Sequence, residues 1–135
     1  MNIKTTIAGS LPKPSWLAEP EKLWGEWKLK DSELFKGQCD AALKWIKFQE
    51  NSGVDVISDG EQFRKHFVHG FLELISGIDW NKMTTMGIRN NRYDAEVPTV
   101  VSELKRLNPV HSKSTKYCLD NSSNDFKITL PGPMT

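Results

Sequence analysis

The stretch DSELFKGQCDAALKWIKFQENSGVDVISDGE, residues 31–61, decides the fold. Phe35, Cys39, Ala42 and Ile46 recur at spacings of four, three and four, which puts them on a single face of a helix. Leu43 and Trp45 widen that face. Asp31 or Ser32 is suited to cap its start, and Asn51-Ser52-Gly53 to stop it, with Gly53 left-handed just past the last turn. Val54 to Ile57 then reads as a buried strand that ends in Ser58-Asp59-Gly60-Glu61.

Working outward, residues 3–8 are rich in β-branched side chains and read as a short strand ending at Gly9-Ser10. A strand, a long crossover and a second strand form a βαβ unit, hence an α/β chain with a parallel sheet. The crossover contains LPKPSWLAEPEKLWGEWKLKD, residues 11–31, punctuated by Pro12, Pro14 and Pro20 and carrying Trp16, Trp24 and Trp27. Leu23 and Trp27 lie one helical turn apart, so a short helix is expected after Pro20. A connection of this length is often functional, although core and lid packing is the plainer reading of its tryptophans.

Downstream, residues 64–75 are expected to form a second helix with Phe67, Phe71, Leu74 and Ile75 on or near one face, ended by Gly77. Residues 86–104, containing VPTVV, read as an inserted hairpin. Residues 108–125 are polar, with a loop signal at Asn121-Ser122-Ser123-Asn124. Residues 126–130 read as a third strand, stopped by Pro131-Gly132-Pro133.

The chain has 135 residues, 38% hydrophobic and 26% charged, so it can bury a core without disulfides or a structural metal. A net charge of +1 removes the electrostatic pull that nonspecific nucleic-acid binding relies on. No stretch approaches the roughly 18–20 apolar residues of a membrane span, and the start MNIKTTIAGS lacks the apolar run of a secretion signal. Two distant cysteines, Cys39 and Cys118, do not make a disulfide framework. A soluble, reducing, cytoplasmic setting is expected, with no nucleic-acid or membrane partner.

Ligands of parallel α/β folds bind at the carboxyl ends of the strands, where the loops converge. Asp59 and Glu61 stand at such an end, where a carboxylate can accept hydrogen bonds from an ammonium group or act as a base. Either residue is equally suited to cap the following helix. His66 and His69 have a spacing compatible with one metal, yet no third ligand follows at a recognisable interval, and surface and packing roles are the plainer reading. Cys39, on the apolar helix face, reads as a buried small hydrophobe. The run Arg89-Asn90-Asn91-Arg92-Tyr93 is either a solvated hairpin tip or a grip for an anionic or planar ligand.

Four segments, in order, resemble the catalytic domain of cobalamin-independent methionine synthase, most closely its short single-barrel members. They are TTIAGSLPKPSWL (5–17), DVISDGEQFRKHFVHGF (55–71), GIRNNRYDAEVPTVV (87–101) and KITLPGPMT (127–135). The resemblance implies a (β/α)8 barrel that moves a methyl group, typically from a methyltetrahydrofolate, onto the thiol of homocysteine, which a zinc ion binds. It implies that Ala8, Gly9 and Ser10 hold the homocysteine carboxylate and that Glu61 holds its amino group. Arg92 falls on the folate side. The family's zinc ligands, a histidine, two cysteines and a glutamate, lie on later strands. None of Cys39, Cys118, His66, His69 or His111 stands in a matching motif, so zinc is expected to find its ligands outside this chain.

A barrel of this type takes about 250 residues, and about 200 at the lower end. The chain is therefore expected to be a partial barrel, its first three βα units with an inserted hairpin. On that expectation it is inactive alone and pairs with the remaining half or with itself. Two further readings stand beside this one: a non-catalytic binding remnant, and a related barrel methyltransferase with a different methyl donor.

Overall fold

The computed structural model describes residues 3–21, 25–66 and 68–132. Leu23, Trp24, Phe67 and Pro133, which carried expectations above, lie outside them. The architecture is mixed α/β, with one parallel and one antiparallel sheet. Two units form: Met1–Gly70 with His111–Thr135, and Phe71–Val110.

The first unit is organised around helix α1, Asp31–Asn51. Its buried side is Gly37, Gln38, Cys39, Ala41, Ala42, Ile46 and Gln49, while Phe35 sits at the exposed rim with its ring 5.9 Å from that of Phe63. Neither Asp31 nor Ser32 caps the start: Lys30 holds the N-cap position without a side-chain bond, and Asp31 is itself turned to φ 47°. At the other end Gly53 takes φ 74°, as the stop signal requires.

Strand β1, Val56–Ser58, follows and pairs in parallel with β4, Asp125–Lys127, with Val56 opposite Asp125 and Ser58 opposite Lys127. The expected strand at residues 3–8 is reduced to a parallel bridge between Thr6 and Val56. The reason is local. Thr5 gives its N–H and its hydroxyl to the Asp55 carboxylate, both at 2.7 Å, so its amide is not available to a backbone ladder. The spatial order is still the 3–8 segment, β1, then β4.

Helix α3, Ser112–Asp120, precedes β4 and occupies much of the segment read as polar. Cys118 from α3, Ala42 and Ile46 from α1, and Ile57 from β1 form the core, flanked by Val54, Phe63, Tyr117 and Phe126. Fully burying Ile46 or Ile57 contributes about 1.5–3 kcal/mol each.

The helix expected over 64–75 is not formed. Among the described residues of that stretch, one turn, α2 at His69–Leu72, is helical. His66 Nδ1 accepts the N–H groups of Val68 and His69, both at 3.2 Å, and so starts the turn late.

Ile75 instead opens β2, Ile75–Ile88, which pairs antiparallel with β3, Tyr93–Arg106. The ribbon thus extends well beyond 86–104. Gly77, read as a helix stop, sits at a register shift between Ser76 and Ile78 with φ 86°; a Cβ there would stand 2.5 Å from the Glu103 carbonyl oxygen. Arg89, Asn90 and Asn91 turn the ribbon with φ of 52–59°. Among the described residues, no helix is long and apolar enough to cross a membrane.

Candidate functional site

The site begins where β1 ends. Gln49 reaches from α1 to that end: its Nε2 donates to the carbonyls of Trp45 and Ser58 at 2.9 and 2.8 Å, and its Oε1 accepts the Ser58 N–H at 3.1 Å. Both backbone groups of Ser58 are thereby satisfied by one buried amide. The chain then turns sharply. Ser58 Oγ accepts the Gly60 N–H at 3.2 Å, and Asp59 Oδ1 accepts the Glu61 N–H at 3.0 Å. Gly60 and Glu61 both take left-handed backbone, φ 59° and 62°. For glutamate this conformation costs about 1–2 kcal/mol, and such strain persists where surrounding bonds over-determine it.

The loop after the first segment is bound to this turn. Leu11 N–H donates to the Gly60 carbonyl at 3.0 Å. Gln62, fully buried, returns Nε2 hydrogen bonds to the carbonyls of Leu11 and Gly60 at 2.9 and 3.0 Å. A Cβ on Gly60 would meet the Leu11 side chain at 2.9 Å, so the two loops touch closely. Ala8, Gly9 and Ser10, all exposed, therefore leave the first segment beside the turn that carries Glu61, with Gly9 at φ 81°. The parallel bridge between Thr6 and Val56 brings them to the same end of the sheet.

Asp59 is 6% exposed and braces the turn, whereas the Glu61 side chain is 17% exposed and accessible. Arg64, almost wholly buried, stands with Nη2 3.7 Å from Glu61 Oε1, and its Nη1 donates to the Thr129 carbonyl at 2.7 Å. It thus joins the Glu61 turn to the segment after β4. Lys127 Nζ donates to the Ile7 carbonyl at 2.5 Å, tying the end of β4 to the first segment.

Lys13 is half-buried, and burial pulls its ammonium below its ordinary range, opposed by the Glu61 carboxylate. His111 is pulled down chiefly by burial and further by Arg64, against Asp59. Three buried polar atoms in this region have no hydrogen-bond partner among the described residues: Gln62 Oε1, Arg64 Nη2 and His111 Nε2. Lys13, Gln62, Arg64 and His111 do not stand out from the sequence. The available signals are a lysine enclosed by Pro12 and Pro14 and an arginine three residues after Glu61.

Arg92 lies in the other unit, exposed at the turn of the ribbon, where its N–H donates to the Ile88 carbonyl at 3.0 Å. His66 and His69 have ring centroids 4.5 Å apart, with both imidazoles pulled below their ordinary range chiefly by burial.

The residues present do not fit a zinc centre. Among the described residues, no group of three or more His, Cys, Asp or Glu side chains is placed to hold a metal ion. The two thiols move the wrong way for ligands that bind as thiolates: burial raises Cys39, and Cys118 is pushed up to about 12.

Comparison with known proteins agrees with the four motifs. Residues 3–135 match the family described as cobalamin-independent synthase, catalytic domain. The chain is 31% identical over 140 residues to a methionine synthase of Sulfurisphaera tokodaii, covering 98% of this chain and 39% of that protein. It is 33% identical over 135 residues to a methionine synthase of Saccharolobus islandicus, covering 98% and 40%. A solved B12-independent methionine synthase from Shewanella sp. W3-18-1, in complex with selenomethionine, superposes with a TM-score of 0.90 at 47% identity. That alignment covers 96% of this chain and 38% of the other. The chain thus spans about two fifths of the length of the relatives it matches.

Proposed function

This chain belongs to the cobalamin-independent synthase catalytic-domain family, and from that premise we propose that it forms the amino-acid-gripping part of a homocysteine S-methyltransferase. In this reading the backbone amides of Ala8, Gly9 and Ser10, with the Ser10 hydroxyl, bind the α-carboxylate of homocysteine. Glu61 accepts hydrogen bonds from its α-ammonium. The methyl donor is a methyltetrahydrofolate, and Arg92 belongs to its side of the site. The three parallel segments are the first strands of a (β/α)8 barrel, and the setting is the cytoplasm.

The observation that carries the reading is the juxtaposition of segment 8–10 with Glu61 at one end of a parallel sheet. An α-amino acid needs an anion grip and a cation grip side by side, and neighbouring strand ends supply both. The selenomethionine complex of the Shewanella protein supports a selenium or sulfur amino acid as the ligand. In the reaction, the sulfur forms a bond to the methyl carbon as the bond from that carbon to the donor nitrogen breaks. The thiol proton ends on the donor nitrogen. A thiol with a pKa near ~8.5 is mostly protonated at neutral pH, so deprotonation is the demanding part. Ala8, Gly9, Ser10 and Glu61 bind and orient; they supply no group for that proton transfer.

The lack of a ligand cluster among the described residues favours a second reading, in which this chain binds the amino acid without turning it over. Calorimetry tests the shared premise. Homocysteine and methionine are expected to bind, and Glu61→Gln to weaken both by about tenfold or more, the typical loss for a charged hydrogen bond. Unchanged affinity in Glu61→Gln removes Glu61 from the site. Methionine formation by the chain once the remaining barrel half is supplied separates the two readings: the first expects it, the second does not.

A further inference from the structure

We infer that Lys13 is a specificity-determining residue of this site: its ammonium takes the substrate α-carboxylate beside the α-ammonium taken by Glu61. The assignment rests on the amino-acid reading proposed above and extends it to a residue to which the resemblance assigns no role. Lys13 is held by its surroundings rather than neutralised by them. Its backbone is fixed on both sides. Leu11 is bonded to Gly60 and Gln62, the Pro12 carbonyl accepts Trp45 Nε1 at 2.9 Å, and the Pro14 carbonyl accepts the N–H groups of Leu17 and Ala18 at 2.9 and 3.1 Å. Its Nζ lies 5.6 Å from the ring centroid of Trp27, a contact that steadies a cation and leaves its charge available.

Among the described residues, Lys13 makes no hydrogen bond and no ion pair. The carboxylates that act on it are Glu61 and, more weakly, Asp59. Asp59 is committed to the Glu61 N–H, and Glu61 has Arg64 beside it. A half-buried cation with no anion of its own, on a loop bonded to the turn that carries an accessible carboxylate, matches the two charges that an amino acid carries on one carbon. Ser10 and the backbone amides donate to either group, more strongly to the ionised carboxylate, and the opposite charge of Lys13 widens that difference between carboxylate and carboxamide.

The test compares L-methionine with L-methioninamide by calorimetry on the full chain at pH 6, where the amines of both ligands are protonated. Wild type is expected to prefer methionine by about tenfold or more, the usual range for a charge-assisted hydrogen bond. Lys13→Met is expected to bring the two affinities within about threefold, and Lys13→Arg to keep the preference. Because the ratio is taken within one protein, partial unfolding of a variant cancels. Undiminished preference in Lys13→Met, or equal binding by wild type, overturns the role of Lys13 while the amino-acid site stands. Binding of neither ligand by wild type overturns the amino-acid reading and this assignment with it.

Discussion

Glu61 holds a backbone conformation that a glutamate does not choose, and Gly60 before it holds one that only glycine takes without penalty. The two left-handed residues reverse the chain so that the Glu61 side chain remains accessible while Asp59 and Gln62 turn inward. Gly60 also lets Leu11 approach, the contact that brings segment 8–10 to the site. Gly60→Ala therefore adds a left-handed penalty of about 1–2 kcal/mol to a clash with Leu11. Thermal or urea unfolding should show a loss of at least about 1–3 kcal/mol, with methionine affinity falling as the two loops part. A variant as stable as wild type would mean that the turn relaxes freely and is not a fixed part of the site.

At the scale of elements, Gln49 couples α1 to the end of β1. Its amide takes both the N–H and the carbonyl of Ser58, where the sheet ladder runs out. Gln49→Ala leaves both groups buried and unpaired, and each orphan costs about 1–3 kcal/mol. Urea unfolding is expected to show a loss of several kcal/mol; a loss under ~0.5 kcal/mol, in the range of ordinary surface changes, would show that Ser58 is satisfied by other means. Helix α1 and strand β1 are legible in the sequence because a four-three-four apolar face and a β-branched run are strong, separate signals. Helix α3 is not, since it is short and polar on average and buries only Ser114 and Cys118. The helix expected over 64–75 is limited from both ends: His66 Nδ1 takes the N–H groups of Val68 and His69, and Ile75 already pairs with Arg106 as the first residue of β2. Of the candidate site, Glu61 and segment 8–10 can be named from motif and placement. Lys13, Gln62, Arg64 and His111 cannot, because their roles come from burial and from contacts between segments distant in sequence.

Across the whole molecule, stability depends on a small core in which a cysteine stands among hydrocarbon side chains. Cys118 is fully buried with Ala42, Ile46 and Ile57, and its thiol is pushed from 9.0 up to about 12 by burial first and by Asp59 and Cys39 next. The folded state thus favours the neutral thiol more than the unfolded state does. For an acid whose pKa is raised on folding, the stabilisation is complete below the unfolded value and is lost as pH climbs towards the folded one. The window is therefore pH 9 to about 12, with a slope of at most about 1.4 kcal/mol per pH unit. Lysines titrate over the same range, so total stability alone does not isolate the thiol. Comparison with Cys118→Ala does, because both proteins share every other group. At pH 7 the variant should be less stable by about 1 kcal/mol, from lost contacts and a small cavity. Between pH 9 and 11 the gap should close and then reverse, as the wild type alone pays to keep a thiol neutral. In parallel, Cys118 should resist a thiol reagent in the folded chain at pH 8 and react on unfolding. A gap that stays constant with pH, together with fast labelling of the native protein, would place the thiol in contact with water and make Cys118 a reactive group.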